Sequence, residues 1–115
     1  MKKSGRLERR ADFLRVQDAN TKWISKSLVL QIAPSSIGSD TLRFGLTASK
    51  KVSESAVIRN RARRRLRSAA YDVLPAKAKP GFDYVLVARP DTVNKTYEEI
   101  CRDLTWCLEK LGCAL

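Results

Sequence analysis

The chain has 115 residues, 43% of them hydrophobic, and carries 23 Lys and Arg against 12 Asp and Glu, for a formal net charge of +11 with no histidine. That length suits a single domain with one core, and the apolar fraction is ordinary for a folded body, so the charge belongs to a surface and not to a disordered chain. The missing histidine excludes Ser-His and Cys-His nucleophiles and removes the commonest transition-metal ligand, while the excess of base points to a polyanionic partner.

In chain order, residues 1–5 read as a flexible basic arm. The start is basic like the leading region of a secretory signal, but Leu7-Glu8-Arg9-Arg10 follows in place of an apolar stretch. No apolar run is long enough to span a bilayer, so a cytoplasmic protein without a membrane partner is expected. Residues 10–20 predict a short helix with Ala11, Phe13, Leu14 and Val16 on an uneven apolar side. Residues 27–32 predict a strand, Leu28, Leu30 and Ile32 alternating with Ser27, Val29 and Gln31. The turn-rich residues 34–40 then predict a hairpin to a second strand over residues 43–49. There Phe44, Leu46 and Ala48 point one way and Gly45, Thr47 and Ser49 the other. One face is core; the other is either solvated or open to the backbone of a ligand.

Ser53 or Ser55 can cap the following helix, and Pro75 is expected to end it. On a helical wheel Ile58, Ala62, Leu66, Ala69 and Val73 fall within about 80° of arc, a narrow stripe for packing on a sheet. Six arginines, Arg59, Arg61, Arg63, Arg64, Arg65 and Arg67, crowd nine residues of the remaining surface, with no acid from Ala56 to Ala70. Like charges three and four residues apart cost roughly 0.2–0.5 kcal/mol per pair, so this run does not serve helix stability. Arginine's planar fork matches phosphate oxygens, which makes a phosphate backbone the expected ligand. Lys50 to Arg67 holds eight basic residues against Glu54 alone, so the charge is concentrated.

Residues 82–89 predict an internal strand, apolar on both faces at its centre, ended by Pro90. Thr96-Tyr97-Glu98-Glu99 is a capping-box pattern, followed at helical spacing by Ile100, Cys101, Leu104, Cys107, Leu108 and Leu111. The odd count of cysteines, Cys101, Cys107 and Cys113, argues for reduced, partly buried thiols. The order, helix, two or three strands, basic helix, strand and helix, suggests an α+β or α/β sandwich with helices on a mixed sheet. No GxGxxG, Walker loop or clustered carboxylates are present, and the sequence offers no active site of its own.

Residues 43–67, with Lys50-Lys51 ahead of Arg59-Asn60-Arg61, resemble the protein subunit of bacterial ribonuclease P. The likeness extends to Arg6-Leu7 and Asp12-Phe13 near the start and to Ala88-Arg89-Pro90 late in the chain. The resemblance implies an α+β, two-layer α-β sandwich, ribosomal protein S5 domain 2-like, of order α-β-β-β-α-β-α with a left-handed βαβ crossover. Residues 1–115 would then form one RNA-binding domain. It further implies an accessory role in endonucleolytic removal of the 5′ leader from precursor tRNA, the catalytic groups belonging to ribonuclease P RNA and Mg²⁺ being held mainly by that RNA. The protein would be a monomer within the ribonucleoprotein. Lys50, Lys51, Arg59, Asn60, Arg61, Arg63, Arg64 and Arg67 would face the catalytic RNA and the cleavage site.

By the same resemblance a cleft between the first helix and the open sheet face would hold the leader, lined by Phe13, Gln17, Val29, Gln31, Thr47, Ser49 and Arg89. Phe13 is equally a candidate for the core and for stacking on a base. Gln17 and Gln31 stand where the family often has aromatics, which shifts the expected leader contacts from stacking toward hydrogen bonding and charge. The competing reading is a ribosomal or general RNA-binding protein, which would share the charge and fold without needing the Lys50-Lys51 to Arg59-Asn60-Arg61 spacing.

Overall fold

A computed structural model describes residues 3–115. The elements in chain order are β1 (Lys3–Arg6), α1 (Arg10–Ala19), β2 (Thr21–Ile24), β3 (Leu28–Pro34), β4 (Thr41–Thr47), α2 (Ala56–Lys77), β5 (Phe82–Ala88), a 3-10 turn (Pro90–Asn94) and α3 (Tyr97–Lys110). They form the expected α+β arrangement around one five-stranded mixed sheet of order β1-β4-β5-β3-β2.

Three expectations from the sequence are corrected. The arm at residues 1–5 is in part strand, because β1 pairs in parallel with β4, Arg6 opposite Phe44, while Met1 and Lys2 lie outside the described residues. The hairpin between β3 and β4 does not form: β5 inserts between them, parallel to β4 and antiparallel to β3. β5 is apolar on both faces and buries most as the central strand, so tertiary packing overrides the local turn signal. Pro75 lies inside α2, which runs on to Lys77. The buried Val73, Leu74 and Ala78 around it hold that last turn, and the Ala78 N–H closes it on the Leu74 carbonyl at 3.0 Å.

The main core lies between the sheet and the α2–α3 layer. Leu28, Leu30 and Ile32 of β3, Leu42, Phe44 and Leu46 of β4, and Tyr84 and Leu86 of β5 meet Ala62, Leu66, Ala69 and Val73 of α2 and Ile100, Leu104 and Leu108 of α3. Over its arginine half the stripe on α2 is narrower than predicted, Ala62 and Leu66 being buried while Ile58 is only half-buried and outside the core, and Ala70 and Leu74 widen it further along. The capping box of α3 is in place: the Thr96 hydroxyl accepts from Glu99 N at 3.1 Å, and the Glu99 carboxylate accepts from Thr96 N at 3.0 Å. All three cysteines are free thiols, Cys107 and Cys113 buried.

On the other face of the sheet α1 covers a much smaller cluster, Leu7, Val16, Ala33 and Val85, with Phe13 and Val87 packed against it. Apolar burial on this side is slight. A carboxylate supplies the remaining attachment: Asp83, in central β5 and fully buried, receives Arg43 of β4 in a two-pronged pair at 3.0 and 2.8 Å. Arg15 of α1 donates to the same carboxylate and, at 2.8 Å, to the Pro34 carbonyl. Asp83 in turn raises the Arg43 guanidinium above its ordinary range, chiefly through the hydrogen bonds between them.

Candidate nucleic-acid interface

Two surfaces take the residues singled out in the sequence. The first is the face of the sheet that α1 leaves partly open. Strand register aligns Thr47, Val87, Val29 and Ile24 in one row and Gly45, Val85, Gln31 and Lys22 in the next. Val85 is buried beneath α1, whereas Val29, Gln31, Thr47 and Val87 are half-buried and Ile24 is exposed. Phe13 closes the inner end of this open strip. Its ring lies directly over Gly45, where an added Cβ would fall 2.5 Å from two ring carbons. Gly45 is thus required by close approach of the ring, and Phe13 is both a packing residue and the wall of a cleft. Gln17, exposed on α1, and Ser49, exposed just beyond β4, flank the strip. Arg89 is at its far end and is tied down, donating to the Ser25 carbonyl at 2.6 Å.

The second surface is the exposed side of α2 and the turn before it. Ser55 caps the helix, its hydroxyl accepting from Ile58 N at 3.3 Å. Lys50 and Lys51 sit in a turn closed by Val52 N donating to the Ser49 carbonyl at 3.0 Å, and both side chains are exposed. The arginines divide by their contacts. Arg59 folds back to donate to the carbonyls of Ser53 and Glu54, each at 2.9 Å, fixing the turn to the helix. Arg63 donates to Asn60 Oδ1 at 2.6 Å and to the Ala48 carbonyl at 3.2 Å, joining α2 to the end of β4. Arg61, Arg64 and Arg67 make no hydrogen bond or ion pair among the described residues and remain available to a ligand. Asn60, Arg63, Arg64 and Arg67 together border a shallow concavity against Val57. Arg65 is turned to the opposite flank, donating to the Lys95 carbonyl.

The structure therefore brings Phe13, Val29, Gln31 and Thr47 to one strip and Asn60, Arg63, Arg64 and Arg67 to another, with Thr47 and Ser49 leading from the first to the Lys50-Lys51 turn. The sequence reading missed Asp83, Arg15 and Arg43. An acid alone in an apolar central strand was the available signal, because a buried carboxylate needs a cation to hold it. Among the described residues no group of three or more His, Cys, Asp or Glu converges as a metal site.

An open sheet strip beside a basic helix, with guanidinium groups left unpaired, defines a small α+β RNA-binding protein. A family model described as Ribonuclease P matches residues 1–112. The ribonuclease P protein component of Paramagnetospirillum magneticum is 48% identical over 110 residues, covering 93% of this chain and 82% of that protein. That of Clostridium novyi is 36% identical, covering 97% of each. In fold, the chain is similar to a Staphylococcus aureus RNase P protein mutant with defective mRNA degradation activity, with a TM-score of 0.78, 22% identity and coverage of 94% and 88%. It is also similar to the RNase P protein of Thermotoga maritima, with a TM-score of 0.71, 21% identity and coverage of 92% and 94%. The chain belongs to the ribonuclease P protein family. No helix among the described residues is long and apolar enough to cross a membrane.

Proposed function

We propose that this protein is the accessory subunit of an RNA-catalysed endonuclease, binding ribonuclease P RNA through α2 and the 5′ leader of precursor tRNA in the strip between α1 and the sheet. The observation that carries this reading is the adjacency of the two surfaces: the strip ends at Ser49, where the Lys50-Lys51 turn leads into the arginine helix. Arg61, Arg64 and Arg67 supply unpaired guanidinium groups for RNA phosphates, while Arg59 and Arg63 hold the turn and helix in register with the sheet. In the strip, Phe13 offers a ring edge to a base, Gln17 and Gln31 offer hydrogen bonds, and Thr47 leaves room for the leader backbone. Mg²⁺ belongs mainly to the RNA in this proposal, and the protein's cations lower the repulsion between the two RNAs near it. The protein acts there as a monomer within the ribonucleoprotein, in the cytoplasm.

Reconstitution with the cognate catalytic RNA tests the proposal. The protein should strengthen binding of leader-bearing precursor tRNA more than of leaderless tRNA, and Phe13→Ala should narrow that difference. Equal effects on both substrates would overturn the assignment of the strip to the leader.

A further inference from the structure

A second set of cations converges at one end of the sheet, on the flank of α2 away from Arg59, Arg63 and Arg67. The hydrogen bond from Arg65 to the Lys95 carbonyl joins α2 to the segment after β5. There the Thr92 hydroxyl donates to the Ser27 carbonyl at 2.6 Å and accepts from Arg89 N at 2.8 Å, locking the 3-10 turn to the β2–β3 turn. Lys26, Arg89 and Lys95 border two adjoining concavities in this corner. Ile24 and Trp106 form the apolar wall of the larger, and they are 55% and 42% exposed. Trp106 meets Trp23 edge to face with ring centroids 5.8 Å apart, and the Lys110 ammonium lies 5.9 Å over the Trp23 ring.

Of the acids in this corner, Asp103 and Glu99 are engaged, and Asp91, exposed at the rim of the smaller concavity, is the one carboxylate set against Lys26, Arg89 and Lys95. Asp103 accepts from the Ser27 hydroxyl at 2.6 Å and lies 3.7 Å from Arg102, and Glu99 completes the α3 capping box. The Glu99 carboxyl sits below the usual carboxylate range, first because of its hydrogen bonds with Thr96 and then because of Lys95 and Arg102. The ammonium groups of Lys26 and Lys95 make no hydrogen bond or ion pair among the described residues, and Arg89 spends one guanidinium nitrogen on the Ser25 carbonyl. Exposed indole faces beside cations that packing does not neutralise are the chemistry that binds single-stranded nucleic acid, bases stacking on the ring and phosphates meeting the charges. Ile24 ends the row Thr47, Val87, Val29, so the corner is continuous with the open strip.

We propose that this corner is a further binding site for single-stranded RNA, with Trp106 stacking on a base and Lys26, Lys95 and the remaining nitrogens of Arg89 on the flanking phosphates. The chain has two tryptophans, and both lie here. Indole emission therefore reports this corner directly and is distant in kind from Phe13, which emits negligibly beside it. Titrating the full-length protein with a short oligouridylate should quench that emission saturably. The double variant Lys26→Gln/Lys95→Gln, altering one exposed and one half-buried cation outside the core, should make the log–log salt dependence of the quench shallower by about 1.4, which is about 0.7 for each phosphate no longer neutralised. Phe13→Ala should leave the quench in place. Absence of quenching, a salt dependence that the double variant does not change, or a quench abolished by Phe13→Ala would each overturn the proposal, the last by returning the RNA to the strip under α1. The leader assignment stands or falls separately, on the leader-bearing and leaderless comparison.

Discussion

A Cβ at position 45 would lie 2.5 Å from Phe13 Cε1 and Cζ and 3.3 Å from Leu7 Cβ, so one hydrogen atom decides where the aromatic wall of the strip stands. Replacing Gly45 by Ala forces the ring outward, since Leu7 is buried and cannot retreat while the far edge of Phe13 is partly exposed. Overpacking of this kind costs about 1–3 kcal/mol, with the low end expected where a side chain can swing toward solvent. Gly45→Ala should therefore keep its fold, melt slightly lower, and bind leader RNA several-fold more weakly. Paired thermal melts and leader titrations check this; a lower melting temperature with unchanged leader affinity would leave Phe13 a packing role only.

Helix α2 carries conflicting demands along its length. Its second half is anchored by Ala69, Ala70, Val73 and Leu74, all buried, while its first half rests on Ala62 and Leu66, with Arg61 and Arg64 exposed and Arg59, Arg63, Arg65 and Arg67 half-buried. Arg64 has Arg61 and Arg67 three residues away on either side, two like-charge pairs that destabilise an exposed helix by roughly 0.2–0.5 kcal/mol each. Arg64→Glu turns both into attractive pairs. The variant should be more stable by about 0.8–2 kcal/mol in low salt and yet bind RNA more weakly. Denaturant melts alongside RNA titrations measure the opposing changes. A variant that loses stability would show that Arg64 serves the fold, and unchanged affinity would remove it from the interface.

At the scale of the molecule, the layer between the sheet and α3 shelters titratable groups kept neutral by burial. Desolvation pushes the Cys107 thiol from its ordinary value near 9 up to about 11, and the Cys113 thiol and Tyr84 phenol are raised for the same main reason. A folded-state pKa above the unfolded one means that the unfolded chain ionises first. Stability is then fully present below about pH 9 and falls as the pH rises from 9 to 11. The Cys107 contribution to that decline is on the order of 2–3 kcal/mol. Equilibrium unfolding followed across this window should show it, and Cys107→Ala should flatten the decline after its own constant loss from the smaller side chain.

Local pattern was enough for the elements whose signals lie within a few residues of each other: the capping box at Thr96 and Glu99, the stripe Ala62, Leu66, Ala69 and Val73, the two faces of β4, and the run of arginines that marked the RNA partner. These depend on helix and strand periodicity and on the chemistry of side chains, which a chain carries wherever it folds. Tertiary structure alone decided that β5 enters between β3 and β4 and that β1 extends the sheet. It also decided that Pro75 stays helical, because each of these depends on apolar area buried between segments far apart in sequence. The same holds for the site. Six neighbouring arginines are equivalent in sequence, yet Arg59 folds back on the turn just before α2, Arg63 and Arg65 are captured by the Ala48 and Lys95 carbonyls that the fold brings alongside, and Arg61, Arg64 and Arg67 remain for a ligand. Asp83 finds its two arginines in the same way, across three elements, to set α1 over the open strip.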